Sequence, residues 1–272
     1  MSKGDSSTKW KVLVLAASRG PNDPMAQRYG VSHKCLIEVG GKPMLARVVE
    51  TLLSHKQIGA VGISVENEEV IETALGKASG KVQFYQSLNS APASVLDALQ
   101  LMAKDEDGEG PVLVTTADHA LLDHKMLDYF LSDAQATDAD LLVGLARAEI
   151  ILEAYPEAKR TFLTFGSDRV SGCNMFAFKT KRAQKVLDFW QRIEQNRKNP
   201  FKLVAAFGFK ALFAYLTGQA SLEKAFRLAS QRIGVVARPV VLPFANAAVD
   251  VDKPEDKDLV EKILAVQNSY RA

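Results

Sequence analysis

Residues 11–17 constrain the fold of this chain more than any other segment. Their sequence, KVLVLAA, is a short and nearly continuous apolar run that ends in small residues. A strand with apolar residues on both faces is typical of the centre of a parallel sheet that helices cover on both sides. We therefore expect a buried central strand near the amino terminus, followed by a loop of small residues.

Helix-like and strand-like segments alternate after this strand. A helical pattern at residues 44–54 precedes a strand pattern at residues 60–65 and a second helical pattern at residues 68–75. The alternation continues along the chain and predicts an open α/β sheet with helices on both faces, in a single domain of residues 1–272. The remaining predicted elements are a helix at residues 92–104 and strands at residues 82–85, 112–116, 141–146, 162–165, 175–178 and 235–242.

Residues 181–232 depart from this alternation. Their pattern is helical throughout, and they carry eleven basic residues against three acidic ones, which predicts a basic helical insert within the domain. The aromatic residues among its lysines and arginines could rest on an anionic membrane. Packing of these aromatics against the sheet, or at a homodimer surface, is the favoured alternative. The aromatic residues considered for this contact are Phe201, Phe207, Phe209, Phe213 and Tyr215.

The composition excludes several classes of protein. With 47% hydrophobic and 24% charged residues the chain is globular, and a net charge of only +2 gives no reason to expect nucleic acid as a partner. The two cysteines do not make a disulfide framework, and the four histidines do not combine with them in the spacing of a zinc site. No apolar run resembles a signal peptide or could span a bilayer. We therefore expect a protein that stays in solution in the cytoplasm.

The loop after the first strand is the first candidate site. Small residues there allow backbone N–H groups to approach a polyphosphate, and Arg19 and Lys34 could neutralise its oxygens. A tight turn followed by surface lysines is the alternative interpretation. The candidate nucleotide-binding residues of this loop are Leu15, Ala16, Ala17, Ser18, Arg19 and Gly20.

Residues 34–45, KCLIEVGGKPML, carry a resemblance to a known family. Together with the preceding loop they resemble the nucleotidyltransferases that include molybdenum-cofactor guanylyltransferases and methylerythritol-phosphate cytidylyltransferases. The resemblance implies a three-layer αβα fold with a mostly parallel mixed sheet, shared with type A glycosyltransferases. It also implies that the protein transfers a nucleoside monophosphate from an NTP to a small phosphorylated acceptor and releases pyrophosphate. The expected donor is CTP or GTP, and the expected cofactor is Mg²⁺.

Asp118 follows the predicted strand at residues 112–116. Ligands of open α/β sheets bind beyond the carboxyl ends of the strands, so Asp118 is expected to face the first loop. It resembles the metal-binding aspartate of the family, which implies a contact with both Mg²⁺ and the nucleotide. Alternatively, a single aspartate after a strand can stabilise a turn or cap a helix.

The late segment VDVDKPED, residues 249–256, contains the second pair of candidate metal ligands. It resembles the family's D-x-D-T-P-E-D element, which implies that Asp252 completes the metal site, with Asp250 as the second choice. Asp252 and Glu255 also have the spacing of a capping box at the start of a helix. Both roles are compatible, because cap and ligand use different lone pairs of one carboxylate.

Two further segments gain candidate roles from the resemblance. Ser94 begins a pattern like the family's S-x-x-x-A-L helix, so residues from Ser87 to Ser94 could contact the base or ribose, although Ser94 could equally be a helix N-cap. Gly172 and Asn174 fall where relatives have an acceptor-binding loop.

Two alternatives to nucleotidyl transfer remain open on the sequence. A glycosyltransferase of the same fold would use a nucleotide-sugar, but its D-x-D usually lies in mid-chain, whereas Asp250 and Asp252 lie near the end. A non-catalytic nucleotide-binding protein is the other alternative, because Ala17 and Ser18 replace two glycines of the family and Ala120 replaces a proline. A dinucleotide-dependent oxidoreductase is disfavoured, because no G-x-G-x-x-G follows the first strand.

Overall fold

The computed structural model of the protein describes residues 9–18, 20, 22–105, 110–196 and 221–269. Arg19 lies outside the described residues. So do residues 197–220, which contain the five aromatic residues considered above for membrane contact.

The strands of the described residues form one large sheet and one small hairpin. Their bounds are β1 Trp10–Leu15, β2 Glu38–Val39, β3 Lys42–Pro43, β4 Ile58–Val65, β5 Gln83–Gln86, β6 Val112–Thr116, β7 Leu141–Arg147, β8 Leu163–Phe165, β9 Asp168–Phe178 and β10 Ala237–Leu242. The large sheet has the order β10-β7-β9-β6-β1-β4-β5, with β8 paired to β9. β9 runs antiparallel to its neighbours β6, β7 and β8, while the other pairs of the large sheet are parallel.

Helices cover both faces of this sheet, which confirms the predicted three-layer fold. Their bounds are α1 Pro24–Arg28, α2 Met44–Leu53, α3 Glu68–Leu75, α4 Ala91–Met102, α5 His124–Gln135, α6 Ala148–Ala154, α7 Lys185–Asn196, α8 Leu222–Ile233 and α9 Pro254–Ser269. Short 3-10 turns lie at Lys34–Leu36, Gly76–Lys81, Lys181–Gln184 and Ala245–Ala248. Helices α7 and α8 agree with the helical pattern at the two ends of the basic insert.

β1 is the buried central strand that its sequence predicts. Val12 and Val14 point into the core that contains α2, α3 and α5, whereas Leu13 points into the core that contains α4 and α7. All three side chains are fully buried. The near-continuous apolar run arises because each face of β1 packs under a helical layer.

The V-G-G-K part of the family pattern forms a tight hairpin between β2 and β3. Gly40 and Gly41 have φ angles of 57° and 74°, the left-handed conformation that a two-residue hairpin turn requires and that glycine adopts without strain. Helix α9 packs beside this hairpin, and Glu261 accepts a hydrogen bond from the Gly40 N–H at 3.0 Å.

β9 is much longer than the predicted strand at residues 175–178. The predicted acceptor loop around Gly172 and Asn174 is therefore wrong as a loop, because Gly172 pairs with Leu145 of β7. The register of this pair shifts between Val143 and Leu145, and Asn174 has a φ of 50°. Glycine and asparagine indicate a loop in sequence, but here they accommodate an irregularity within a strand.

Within the described ranges, no helix combines the length and the apolar character needed to cross a membrane.

Candidate active site

The carboxyl edge of the sheet brings distant segments together. Because β1, β4 and β6 are parallel, the loops that follow them leave the sheet on one side. β9 is antiparallel, so its amino-terminal half reaches the same side. Ser18, Glu66, Asp118 and Asn174 all lie at this edge.

Lys34, Asp118 and Asp252 form the centre of the candidate site. The Lys34 Nζ donates to Asp118 Oδ2 at 2.6 Å and to Asp252 Oδ1 at 2.5 Å. Thr116, the last residue of β6, donates its hydroxyl to the other oxygen of Asp118 at 2.5 Å and fixes the orientation of that carboxylate. The structure therefore brings together three residues for which the sequence analysis predicted roles, Lys34 in phosphate binding and Asp118 and Asp252 in metal binding.

The charge of Lys34 is secured by its partners. Burial by itself lowers the pKa of this ammonium, but the charges of Asp118 and Asp252 outweigh burial and raise the pKa above its ordinary value. Lys34 is therefore a cation at neutral pH, and it separates two carboxylates that would otherwise repel each other.

Asp250, the second choice for the metal ligand, faces a different partner. Its carboxylate accepts hydrogen bonds from the Arg160 guanidinium and from Asn174 Nδ2, the latter at 2.9 Å. Burial raises the pKa of Asp250 above its ordinary value, although the charge of Arg160 opposes that shift. Asp252, not Asp250, is the residue that shares a cation with Asp118. Arg160 has no motif in the sequence that could have indicated this role.

The helix cap predicted at Asp252 is displaced by one residue. Helix α9 begins at Pro254, so the third helical residue is Asp256 and not Glu255. Asp256 Oδ2 accepts from the backbone N–H groups of Asp252 at 3.1 Å and Lys253 at 2.9 Å. Proline at the first helical position sets this register. Asp123 is the N-cap of α5, and its side chain accepts from the Met126 N–H.

The small-residue loop after β1 contacts an acidic side chain that the motifs do not include. The Ser18 N–H donates to Glu66 Oε1 at 2.7 Å, and the other carboxylate oxygen of Glu66 lies 3.3 Å from His33 Nε2. Glu66 directly follows β4, and its position at the end of a central strand is the only signal in the local sequence that it could belong to the site.

Leu15 is the last residue of β1. The Ala16 N–H donates to the Ser64 carbonyl, so Ala16 continues the pairing with β4 by one residue. Ala17 is exposed and Gly20 is half-buried at the same loop.

Ser94 supports the neighbouring loop from inside. The N-cap of α4 is Ser90, so the alternative of Ser94 as the cap is wrong. The buried Ser94 hydroxyl accepts from the Leu88 N–H at 2.8 Å and donates to the Ser90 carbonyl at 3.0 Å. Ser94 therefore shapes the loop at 87–90, while Ser87 continues the pairing of the strands through the Val65 carbonyl.

His119 and the two cysteines, the side chains that could otherwise act as a general base or a covalent nucleophile, are all buried. Burial lowers the pKa of His119 to about 4, so this side chain is neutral, and neither ring nitrogen makes a well-formed hydrogen bond. Burial raises the pKa of the Cys35 thiol to about 12 and raises that of Cys173 as well. No three His, Cys, Asp or Glu side chains of the described part cluster closely enough to hold a metal ion by themselves.

Comparison with known families agrees with this arrangement. Residues 12–198 match the family model described as the MobA-like NTP transferase domain. The chain belongs to this family. Its activity class is therefore nucleotidyl transfer, as the resemblance of residues 34–45 implied. The match ends before Asp252, whose assignment to the site is supported by the resemblance of residues 249–256 and by its contact with Lys34.

Solved structures share the fold. A hypothetical transferase from Thermus thermophilus is 26% identical, with a TM-score of 0.76 over 92% of this chain and 99% of that chain. A 4-diphosphocytidyl-2C-methyl-D-erythritol synthase from Anaerococcus prevotii is 13% identical, with a TM-score of 0.55 over 95% and 99%. A CMP:2-keto-3-deoxy-manno-octonic acid synthetase in complex with CTP is 16% identical, with a TM-score of 0.57 over 95% and 99%. A search of curated protein sequences finds no significant match.

Proposed function

We propose that the protein transfers a nucleoside monophosphate from CTP or GTP to a small phosphorylated acceptor, releases pyrophosphate and requires Mg²⁺. The observation that carries this proposal is the convergence of Asp118 and Asp252 on one ammonium group beside the small-residue loop. Both cysteines are buried and free, as in a protein of a reducing compartment, so we propose the cytoplasm as the site of the reaction.

The proposed reaction needs positive charge more than proton transfer. An acceptor phosphate oxygen forms a bond to the α-phosphorus of the NTP, while the bond from that phosphorus to the bridging oxygen of the β-phosphate breaks and pyrophosphate leaves. Both reactants are anions, so cations must hold them together. The attacking phosphate oxygen is already ionised, which is consistent with the neutral His119 and the protonated Cys35.

The donor set fits Mg²⁺. Asp118 Oδ2 and Asp252 Oδ1 both contact the single Nζ of Lys34, so they are close enough for one small cation to contact both. Mg²⁺ prefers oxygen ligands and is commonly held by one or two carboxylates together with substrate phosphates and water. When bound there, the ion would neutralise charge on the phosphate oxygens and orient them for in-line displacement.

The other proposed roles belong to the residues around this centre. Lys34 would exchange its carboxylates for phosphate oxygens of the NTP, and Arg19 would pair with the same phosphates. The loop at 16–20 would approach the phosphates with its backbone, and Ser87 would lie near the base or ribose. Asn174, which contacts Asp250, and Gly172, which has open space around its Cα, would border the acceptor.

Family membership favours nucleotidyl transfer over the glycosyltransferase alternative, and the product distinguishes the two directly. The purified protein should be incubated with Mg²⁺, each of the four NTPs and a panel of sugar and polyol phosphates. Pyrophosphate is then measured with a coupled pyrophosphatase. We expect release with CTP or GTP only when an acceptor is present.

Asp118→Asn tests the site in the same assay. We expect a loss of turnover on the order of 100-fold, which corresponds to about 3 kcal/mol of transition-state stabilisation. Asp133→Asn, on the exposed face of α5, is the matched control and should retain full turnover. Undiminished turnover of Asp118→Asn at saturating Mg²⁺ would contradict the proposal.

A further inference from the structure

We infer that Arg160 is a positioning residue that holds the turn carrying Asp252 in the geometry required for the metal. The inference rests on the proposed function. Arg160 lies between α6 and β8, in a segment without any motif, and only 10% of its side chain is exposed. A guanidinium so deeply buried needs acidic partners, and it has two of them.

The first partner lies before Asp252 in the chain. One terminal nitrogen of Arg160 donates to Asp250 Oδ1, and the other donates to the backbone carbonyl of Asp250 at 3.3 Å. Asn174 donates to the remaining oxygen of the Asp250 carboxylate. Asp250 is therefore held at its side chain and its main chain, and its negative charge is neutralised beside Asp118 and Asp252.

The second partner lies after Asp252. Arg160 Nη1 is 3.8 Å from Asp256 Oδ1, and the other oxygen of Asp256 accepts from the N–H groups of Asp252 and Lys253. A single guanidinium thus links the residue two positions before Asp252 to the carboxylate that binds the main chain of Asp252 itself. The planar fork of arginine reaches Asp250 through both terminal nitrogens and Asp256 through one of them, a fixed geometry that the compact ammonium of lysine does not offer.

Asp252 needs this support because its own side chain is loosely enclosed. Its side chain is 42% exposed, so packing alone does not fix it. Its position follows from the main chain, where the neighbouring Val251 is fully buried and donates its N–H to the Asp118 carbonyl at 3.1 Å. Mg²⁺ demands near-ideal octahedral geometry, so a shift of this turn would separate the two carboxylates and weaken the ion's binding.

The test measures the affinity of the nucleotide-free protein for Mn²⁺. The EPR signal of the free ion reports how much Mn²⁺ is unbound. We expect Arg160→Met to weaken Mn²⁺ binding about 10-fold or more, the usual scale for residues that orient metal ligands. Asp252→Asn should also weaken it. In the double variant, Arg160→Met should add nothing to the loss caused by Asp252→Asn, because Arg160 acts through that carboxylate. A purely structural role for Arg160 would not produce this non-additivity.

Arg169→Met is the matched control. Its guanidinium lies 5.1 Å over the Phe162 ring at the same edge of the sheet, and its loss should leave Mn²⁺ binding unchanged. Arg160→Lys keeps the buried charge and decides the matter if Arg160→Met does not fold; we expect it to bind Mn²⁺ several-fold more weakly than the wild type.

Two outcomes separate the inference from the proposed function. If Asp252→Asn binds Mn²⁺ as well as the wild type, the proposed metal site is wrong. If Asp252→Asn weakens binding but the folded Arg160 variants do not, or if the two losses multiply in the double variant, the positioning role is overturned while the metal site stands.

Discussion

Lys34 has two competing sets of partners in the proposed reaction. In the nucleotide-free protein its ammonium neutralises Asp118 and Asp252, at distances of 2.6 and 2.5 Å. The incoming Mg²⁺ needs the same carboxylate oxygens, and the incoming phosphates need the same ammonium. Metal and nucleotide should therefore each assist the binding of the other, because the exchange leaves every charge paired.

Lys34→Met should consequently change the two affinities in opposite directions. We expect Mn²⁺ to bind the nucleotide-free variant more tightly than the wild type, because the competing ammonium is gone, while NTP binding weakens about 10-fold or more through loss of a charge-assisted hydrogen bond. EPR and isothermal titration calorimetry measure the two quantities. Lys42→Met, at an exposed pair with Glu50 in the same segment, should leave both unchanged. Weaker Mn²⁺ binding in Lys34→Met would contradict the competition.

His55, which follows α2, is buried against α5 in surroundings that favour its neutral form. His55 Nδ1 accepts from the Gln57 N–H at 3.3 Å, and His55 Nε2 lies 3.2 Å from Asp128 Oδ1. The ring also meets that of His124 edge-on, at 5.1 Å between centroids. Burial lowers the pKa of His55, with smaller contributions from His124 and Lys56, although Asp128 opposes the shift.

This histidine should make the stability of the protein sensitive to mild acid. A pKa lowered in the folded state stabilises the fold above the unfolded value of about 6.5, and that stabilisation is lost as the pH falls below it. Urea unfolding at pH 7.5 and pH 5.5 measures the effect. We expect His55→Gln to be less stable than the wild type at pH 7.5 but to lose less free energy of unfolding between the two pH values. An equal loss in both proteins would exclude His55 as the source.

On the scale of the whole molecule, the strand order creates the site. Lys34 lies 84 residues from Asp118 and 218 residues from Asp252, yet one ammonium contacts both. After β10, at the far edge of the sheet, the chain returns through the 3-10 turn Ala245–Ala248 and joins the loop after β6 through the Val251 N–H. A ligand that binds Lys34, Asp118 and Asp252 would therefore contact both an early and a late segment of the chain.

Nucleotide binding should therefore stabilise the whole fold, and only with the metal. Melting curves with each of the four NTPs, with and without Mg²⁺, should show an Mg²⁺-dependent rise in Tm for one base. A ligand at 100 times its Kd adds about 2.7 kcal/mol to the free energy of unfolding. Asp118→Asn should lose the Mg²⁺-dependent part of the rise. The absence of a shift with every NTP would favour the non-catalytic alternative.

Much of the architecture is readable from local sequence. The strand at residues 112–116 and the helix at residues 68–75 agree with β6 and α3 to the residue, because burial on one or two faces leaves a periodic apolar pattern in the segment itself. Lys34, Asp118 and Asp252 are likewise found from their motifs. Each stands beside a recognisable element, namely the V-G-G-K hairpin, a strand end and a Pro-initiated helix.

The partners of these residues depend on the tertiary structure. Asp250 and Asp252 are two positions apart and equally acidic, and only the approach of Arg160, 90 residues away, separates a buried ion pair from a candidate metal ligand. Glu66 and Ser18 meet across 48 residues, and the amino-terminal half of β9 pairs with β7 through residues that have the composition of a loop. Ion pairs and strand ladders between distant segments leave no periodic trace in sequence, because their energy comes from contacts that exist only after the chain has folded.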